Sequence, residues 1–252
     1  MTIKAPNSIS IALETNGEGY IGYIVELPGA YVRGKNKEEA IGKTKNEVIS
    51  YIKWLGIEPD WPNDVKIVQI HQSSLTVEDA DNEILLDADR ENPSKNEFDE
   101  LCRLVIKSGE TFIQIYNDAE FKDWIDETKI RKTFYGDNPA SIKQIYEHVN
   151  NCQLYYLSRL KIDNDSEGDF LTLRMFCLER LKNFYDSADN SRVINMDNEL
   201  WTLKKVLRRF IWHDRIHSRA MMRILGKQKQ IGIINQYDDP FYFEGSLARL
   251  GG

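Results

Sequence analysis

The stretch Trp212-His213-Asp214-Arg215-Ile216-His217 sets two imidazoles four residues apart. On a helix that spacing stacks them about 6 Å apart on one face, where both can ligate a single metal ion. They recur with Phe210, Ala220 and Ile224 at helical intervals, so the pair faces a core rather than water. A third histidine, His148, lies three residues after Ile145 and four before Cys152, which points it inward too. Burying three partly polar rings together is costly unless something partners them. Three imidazoles from two facing helices suffice for a metal site with three protein ligands and one open position. An ion held that way lowers the pKa of whatever occupies the open position, giving hydroxide from water or thiolate from a thiol. The remaining histidine, His71, falls in the other half of the chain and is read as unrelated.

Plainer readings stand beside this one. An inward histidine is commonly just a hydrogen-bonded core residue. The run His213–His217 is also close to the His-Glu-x-x-His of zinc proteases. Here Asp214 replaces the glutamate base and no histidine follows, which leaves a distant acid such as Glu244 as third ligand. Tyr146, Glu147, Tyr156 and Asp214 are near the histidines in sequence and are candidates to fix an imidazole tautomer. Asp214 points about 100° away from His213 on a helical wheel, so solvent is an equal destination for it.

The elements that must carry these residues are helices. Apolar residues recur at three and four over 95–116 (Phe98, Leu101, Cys102, Val105, Gly109, Phe112), 141–160 (Ile142, Ile145, Val149, Cys152, Tyr156), 170–187 (Phe170, Leu173, Cys177, Leu181) and 200–225 (Leu203, Val206, Leu207, Phe210). Four amphipathic helices of this length predict a four-helix bundle. Ser94 or Asn96 is the expected cap of the first, and Gly226 the expected end of the last. A helical turn is expected within 120–127.

The first half reads differently. Residues 8–15 and 20–27 alternate as strands, joined by Asn16-Gly17-Glu18-Gly19 as a hairpin turn. Pro28-Gly29 fits a type II turn before a short strand, Ala30–Arg33. Lys37–Leu55 is a helical run closed by Pro59 and Pro62, and Val65–His71 a further strand. The class is therefore α+β: a small β-β-β-α-β domain over 1–75, an acidic linker over 76–94 with a short edge strand at Ile84–Leu86, an all-α four-helix bundle over 95–228, and an unplaced tail over 229–252.

Composition bounds the function. A chain that is 41% hydrophobic and 29% charged can bury a core, and no run approaches the roughly 18 apolar residues of a membrane span. The N-terminal stretch lacks a continuous apolar segment, so no secretory signal is expected. Cys102, Cys152 and Cys177 fall in helical patterns and read as reduced core residues of a cytoplasmic protein. The net charge of −7 weighs against nucleic acid as a partner, as would a steep salt dependence if tested and not found. The charge is uneven, with ten acids against two bases over 76–100 and nine bases against one acid over 201–230. Solvated faces explain most such runs. A sharper reading makes the basic helix a rim that attracts an anionic small molecule, with Arg208, Arg209, Arg215 and Arg219 as the residues that would bind it.

Two resemblances sharpen these expectations. Gly19-Tyr20, Glu26-Leu27-Pro28-Gly29, Gly34 and Lys37-Glu38-Glu39-Ala40 make residues 8–56 resemble the HicB-like domain. The resemblance implies a partner-binding module, since many relatives are antitoxins, although no helix-turn-helix tail follows here. Residues 95–226 resemble the DinB-like metal-binding bundle family, through SIKQIYEHVNNCQLYYL with His148 and KKVLRRFIWHDRIHSRAMMRIL with His213 and His217. That family carries one histidine on its second helix and a spaced pair on its fourth. The resemblance implies a divalent metal, zinc or nickel, and in some members thiol transfer or isomerisation with a low-molecular-weight thiol. The expected function is a metal-dependent thiol S-transferase, a hydrolase or a related enzyme acting on a small molecule. The alternative is a HicB-like protein-binding or self-associating module in which the metal is structural.

Overall fold

The computed structural model describes residues 8–58, 64–133, 136–187 and 192–243. They divide into two compact units, one formed by residues up to 88 together with the segment from 239, the other by 89–238. Pro59, Pro62, Glu244 and the end of the tail lie outside the described residues.

The first unit is α+β, with the β-β-β-α-β order read from the sequence. Strands β1 (Ile9–Thr15), β2 (Tyr20–Ile24) and β3 (Tyr31–Gly34) form an antiparallel meander. Helices α1 (Lys37–Gly42) and α2 (Thr44–Trp54) follow, and β4 (Val65–Gln72) returns parallel to β1 at the edge. The sheet order is β3-β2-β1-β4. The turns form as their residues require: the Ala30 N–H donates to the Leu27 carbonyl at 2.9 Å with Gly29 at φ +85, the positive φ a type II turn needs. The helical run expected over 37–55 is split at Lys43, directly after Gly42, a weak helix former.

Residues of β1 alternate between faces, with Ile9, Ile11 and Leu13 on one and Ala12 and Glu14 on the other. On the second face Ala12 clusters with Ile84 and Leu86, and Tyr23 and Val25 pack against them. The edge strand expected at Ile84–Leu86 does not form. Its backbone bonds go to side chains instead: Glu14 Oε1 accepts from the Glu83 N–H (2.7 Å) and Ile84 N–H (3.3 Å), while the Gln69 amide donates to the Leu85 carbonyl (3.0 Å) and accepts from the Asp87 N–H (3.0 Å). The acidic stretch is accordingly packed in part, with Val77, Ile84, Leu85 and Leu86 all buried. The tail also finds a place. Phe241 and Phe243 are fully buried and stacked, Phe241 lies 5.3 Å from the Trp54 ring, and Ser50 Oγ donates to the Phe241 carbonyl at 2.8 Å.

The second unit holds α3 (Lys95–Asp118), α4 (Ile142–Ser158), α5 (Phe170–Tyr185) and α6 (Leu203–Gln230). Two short hairpins interrupt them, β5 (Lys132–Thr133) with β6 (Gly136–Asp137), and β7 (Ile194–Met196) with β8 (Glu199–Trp201). Ser94, Ser141, Asp169 and Thr202 cap the four helices, each side chain accepting from the N–H three residues on. Helix α3 packs on α6, and α4 on both α5 and α6. The expected helical turn in 120–127 appears later, as a 3-10 turn at Glu127–Lys129. Helix α6 does not stop at Gly226. Tertiary bonds hold its last turn, from Lys227 Nζ to Asp126 Oδ2 (2.6 Å) and from the buried Gln228 to the Phe121 carbonyl (3.0 Å). Among the described residues no helix is long and apolar enough to cross a membrane.

Candidate metal centre

The centre is built by α4 and α6. The Ser141 cap starts α4 one residue before Ile142, and Thr202 starts α6 before Leu203. With those starts, the apolar stripe Ile142–Ile145–Val149 turns α4 inward, and Val206–Phe210 turns α6 inward. His148 thereby meets His213 and His217. The ring centroids lie 5.2 Å (His148 to His213), 4.6 Å (His148 to His217) and 4.4 Å (His213 to His217) apart. One nitrogen from each ring lies within 4.8 Å of the others, so a single cation can reach all three. His213 is buried, while His148 and His217 keep part of their surface.

The three rings are poor bases. Burial, with His217, His148, Arg174 and Arg209 nearby, holds His213 well below the ordinary histidine value. Burial, then His148 and Arg223, does the same to His217, and burial lowers His148. At neutral pH each ring therefore presents a lone pair, the form in which imidazole ligates metal.

A buried polar network beside the rings ties all four helices together. Arg174 on α5 is fully enclosed. Its guanidinium meets Asp214 of α6 through two bonds (2.8 and 2.9 Å), the Val105 carbonyl of α3 (2.9 Å) and Gln153 Oε1 of α4 (2.7 Å). Ser108 of α3 donates to Asp214 Oδ2 at 2.6 Å. The rings of Phe170 and Phe210 lie 4.8 and 4.9 Å from the guanidinium carbon. Gly109 makes the space, since a Cβ there would come within 2.7 Å of Arg174 Nη1. Asp214 adjoins His213 and Gln153 follows His148 by five residues, so the network is anchored on the two helices that carry the imidazoles.

The other expected participants are distributed as follows. The Tyr156 ring stands edge-on to His213 at 5.7 Å. Tyr146 stacks on Tyr116 at 4.1 Å, and Glu147 is exposed. Asp214 is turned to Arg174 and Ser108 and is fully buried, so the solvent destination is excluded. Among the expected anion-binding arginines, Arg208 pairs with the buried Asp89 at 2.6 Å. Arg209 pairs with Glu199 at 3.1 Å and lies over the rings of Trp201 and Trp212. Arg215 is fully buried and Arg219 half-buried. The basic face of this helix is thus not a solvated stripe: Lys204 and Lys205 are buried too, paired with Glu97 and Glu199 at 2.8 Å each.

Burial pushes Cys102 and Cys152 up to about 11 and Cys177 to about 12, so all three are thiols at neutral pH. Cys152 Sγ lies 3.9 Å from His148 Nε2, next to the centre. Sequence reasoning passed over Arg174, Gln153, Ser108 and Arg223. The available signal was a lone arginine on the apolar stripe of α5 facing a serine and a glycine in mid-helix. No family model matches the chain, and no curated protein and no solved structure matches it.

Proposed function

We propose that the helical unit holds a divalent transition-metal ion, zinc or nickel, on His148, His213 and His217, and uses it in a reaction of a low-molecular-weight thiol. The observation that carries this is the convergence of three neutral imidazoles from α4 and α6 on one point. Three neutral nitrogen donors are a set these ions favour, and among the described residues no carboxylate joins the group, Asp214 being turned to Arg174. The partial exposure of His148 and His217 supports access from one side, so a fourth position is open to a small molecule. The same layout, one histidine on the second helix and a pair on the fourth, underlies the resemblance to DinB-like bundles.

When bound, the ion would supply Lewis acidity that holds a thiol as thiolate at neutral pH. The chain's own residues do the rest. Burial keeps the imidazoles unprotonated, and the Arg174 network holds them in register. Burial pushes Cys152 up to about 11, and we assign the reacting sulfur to a small molecule. Arg219 and Arg223 are the α6 cations we assign to its anionic groups; Arg223 is close enough to help lower His217. The carboxylate pairing of Lys204, Lys205, Arg208 and Arg209 counts against nucleic acid as the partner. Three free thiols fit a reducing compartment such as the cytoplasm.

Elemental mass spectrometry of the purified full chain, beside a His148→Ala/His213→Ala/His217→Ala variant, is the test. Near-stoichiometric zinc or nickel that vanishes in the variant supports the centre, and thiol consumption with an electrophile then tests the chemistry. Absence of metal after incubation with either ion would reduce the three histidines to core residues.

A second reading concerns the first unit, which we propose to be a HicB-like module for a protein partner or for self-association. Its support is the edge strand β4, where Ile67, Val68 and Ile70 stay exposed. An apolar open edge invites a further strand. Light scattering of the wild type and of Val68→Lys decides self-association, since loss of a dimer on that change supports it and a monomeric wild type removes it.

A further inference from the structure

We infer that the sheet-bearing unit holds a second divalent cation, between Glu14, His71 and Glu83. Glu14 on β1 and His71 on β4 are direct partners across the parallel ladder, so their side chains leave the same face of the sheet. Glu83 arrives from the irregular segment that covers this face. Its backbone is fixed there by the bonds from the Glu83 and Ile84 N–H groups to Glu14 Oε1, and by the Gln69 amide clamped onto Leu85 and Asp87. His71 Nε2 lies 3.3 Å from Glu83 Oε1, and Ser73 Oγ donates to that same oxygen at 2.9 Å. One ligand atom from each of the three residues lies within 4.8 Å of the other two.

Three features make this a built site rather than a chance meeting of surface acids. The three donors come from three separate segments: β1 and β4 are joined by the parallel ladder, and the third is held by the Glu14 and Gln69 side chains bonded to its backbone. Glu14 is fully buried, whereas the His71 and Glu83 side chains are 37% and 29% exposed, so the site has a deep anchor and an open mouth. Two carboxylates held this close repel each other, and a divalent cation between them reverses the sign of that interaction. The donor set is two carboxylates and one imidazole, harder than the three nitrogens on α4 and α6. It suits zinc or manganese, and less so calcium or magnesium, which prefer oxygen throughout. The ion would pin the segment after β4 to the strands beneath it.

Calorimetric titration of zinc into the chelator-treated full chain tests this. Wild type is expected to take up two equivalents and His71→Ala one. His71 is partly exposed, so its truncation leaves the fold intact. Glu83→Gln keeps the side chain's shape and is expected to weaken the same equivalent roughly tenfold or more. His213→Ala should remove the other equivalent and leave this one. Two equivalents retained in His71→Ala, a single wild-type equivalent that His71→Ala keeps, or no uptake at all would overturn the second site. A single equivalent lost in His71→Ala and kept in His213→Ala would support it and overturn the helical centre instead.

Discussion

The three imidazoles of the helical unit lose basicity on folding, and that has a pH signature. Each binds its proton less readily folded than unfolded, because burial, and for His213 and His217 neighbouring charge, penalises the imidazolium. As the pH falls through 6.5, the ordinary histidine value, the unfolded chain takes up protons that the folded chain refuses. Stability of the metal-free protein is thus full above that value and declines below it, towards the lower folded values. Urea midpoints measured from about pH 8 to about pH 5 should be level at first and fall below about 6.5. A triple alanine variant should lose most of that slope, and saturating zinc should move it to lower pH, since protons must then displace the ion. A wild-type profile level across the range would contradict neutral buried rings. The thiols give a companion expectation. With Cys152 pushed up to about 11, its alkylation at neutral pH should be slow compared with a free cysteine of pKa about 8.5. A fast reaction would mean that Cys152 is far less buried than the fold makes it.

At the scale of elements, one enclosed ion pair joins α5 to α6 within a network that also reaches α3 and α4. Arg174→Ala leaves Asp214 charged and buried, which is expected to cost about 3–5 kcal/mol by chemical denaturation. Replacing both partners with apolar residues, Arg174→Met with Asp214→Leu, should recover much of that loss, because no orphaned charge remains. If the network is what sets the register of the histidines, the double variant regains stability but binds metal more weakly, whereas unchanged metal affinity would assign the register to apolar packing alone. Gly109→Ala is expected to destabilise as well, since the added Cβ meets Arg174 Nη1 at 2.7 Å and the Phe170 ring at 3.3 Å, and the guanidinium is held by its bonds to Asp214 and Gln153. The histidines and their helices were legible because a period near 3.6 is written into side-chain types. The network was not, since its members are ordinary polar residues whose partners lie 21 to 106 positions away in sequence. The same limit hid Glu14, His71 and Glu83, which only the parallel pairing of β1 with β4 brings together. The hairpin β7–β8 was within reach: Asp197-Asn198 between short apolar runs, at φ +54 and +66, is the two-residue turn such a pairing demands.

At the scale of the molecule, the division into two compact units leads us to expect two unfolding events that respond to different changes. A ligand that binds only the folded form stabilises it by about 2.7 kcal/mol at a hundred times its dissociation constant. Zinc bound at the helical centre should therefore raise one transition, and the His213→Ala variant should lose that rise while keeping its other transition in place. The tail supplies the complementary perturbation. Phe241 and Phe243 are fully enclosed and belong to the first unit although they follow the second in sequence. Phe241→Ala removes a ring lying 5.3 Å from Trp54 and leaves a cavity, which is expected to cost about 3–5 kcal/mol. In a thermal melt that loss should fall on the transition that responds to His71→Ala, and the one that responds to His213→Ala should stay where it was. A single transition shifted by all three changes would mean that the two cores unfold together, with metal at either one stabilising both.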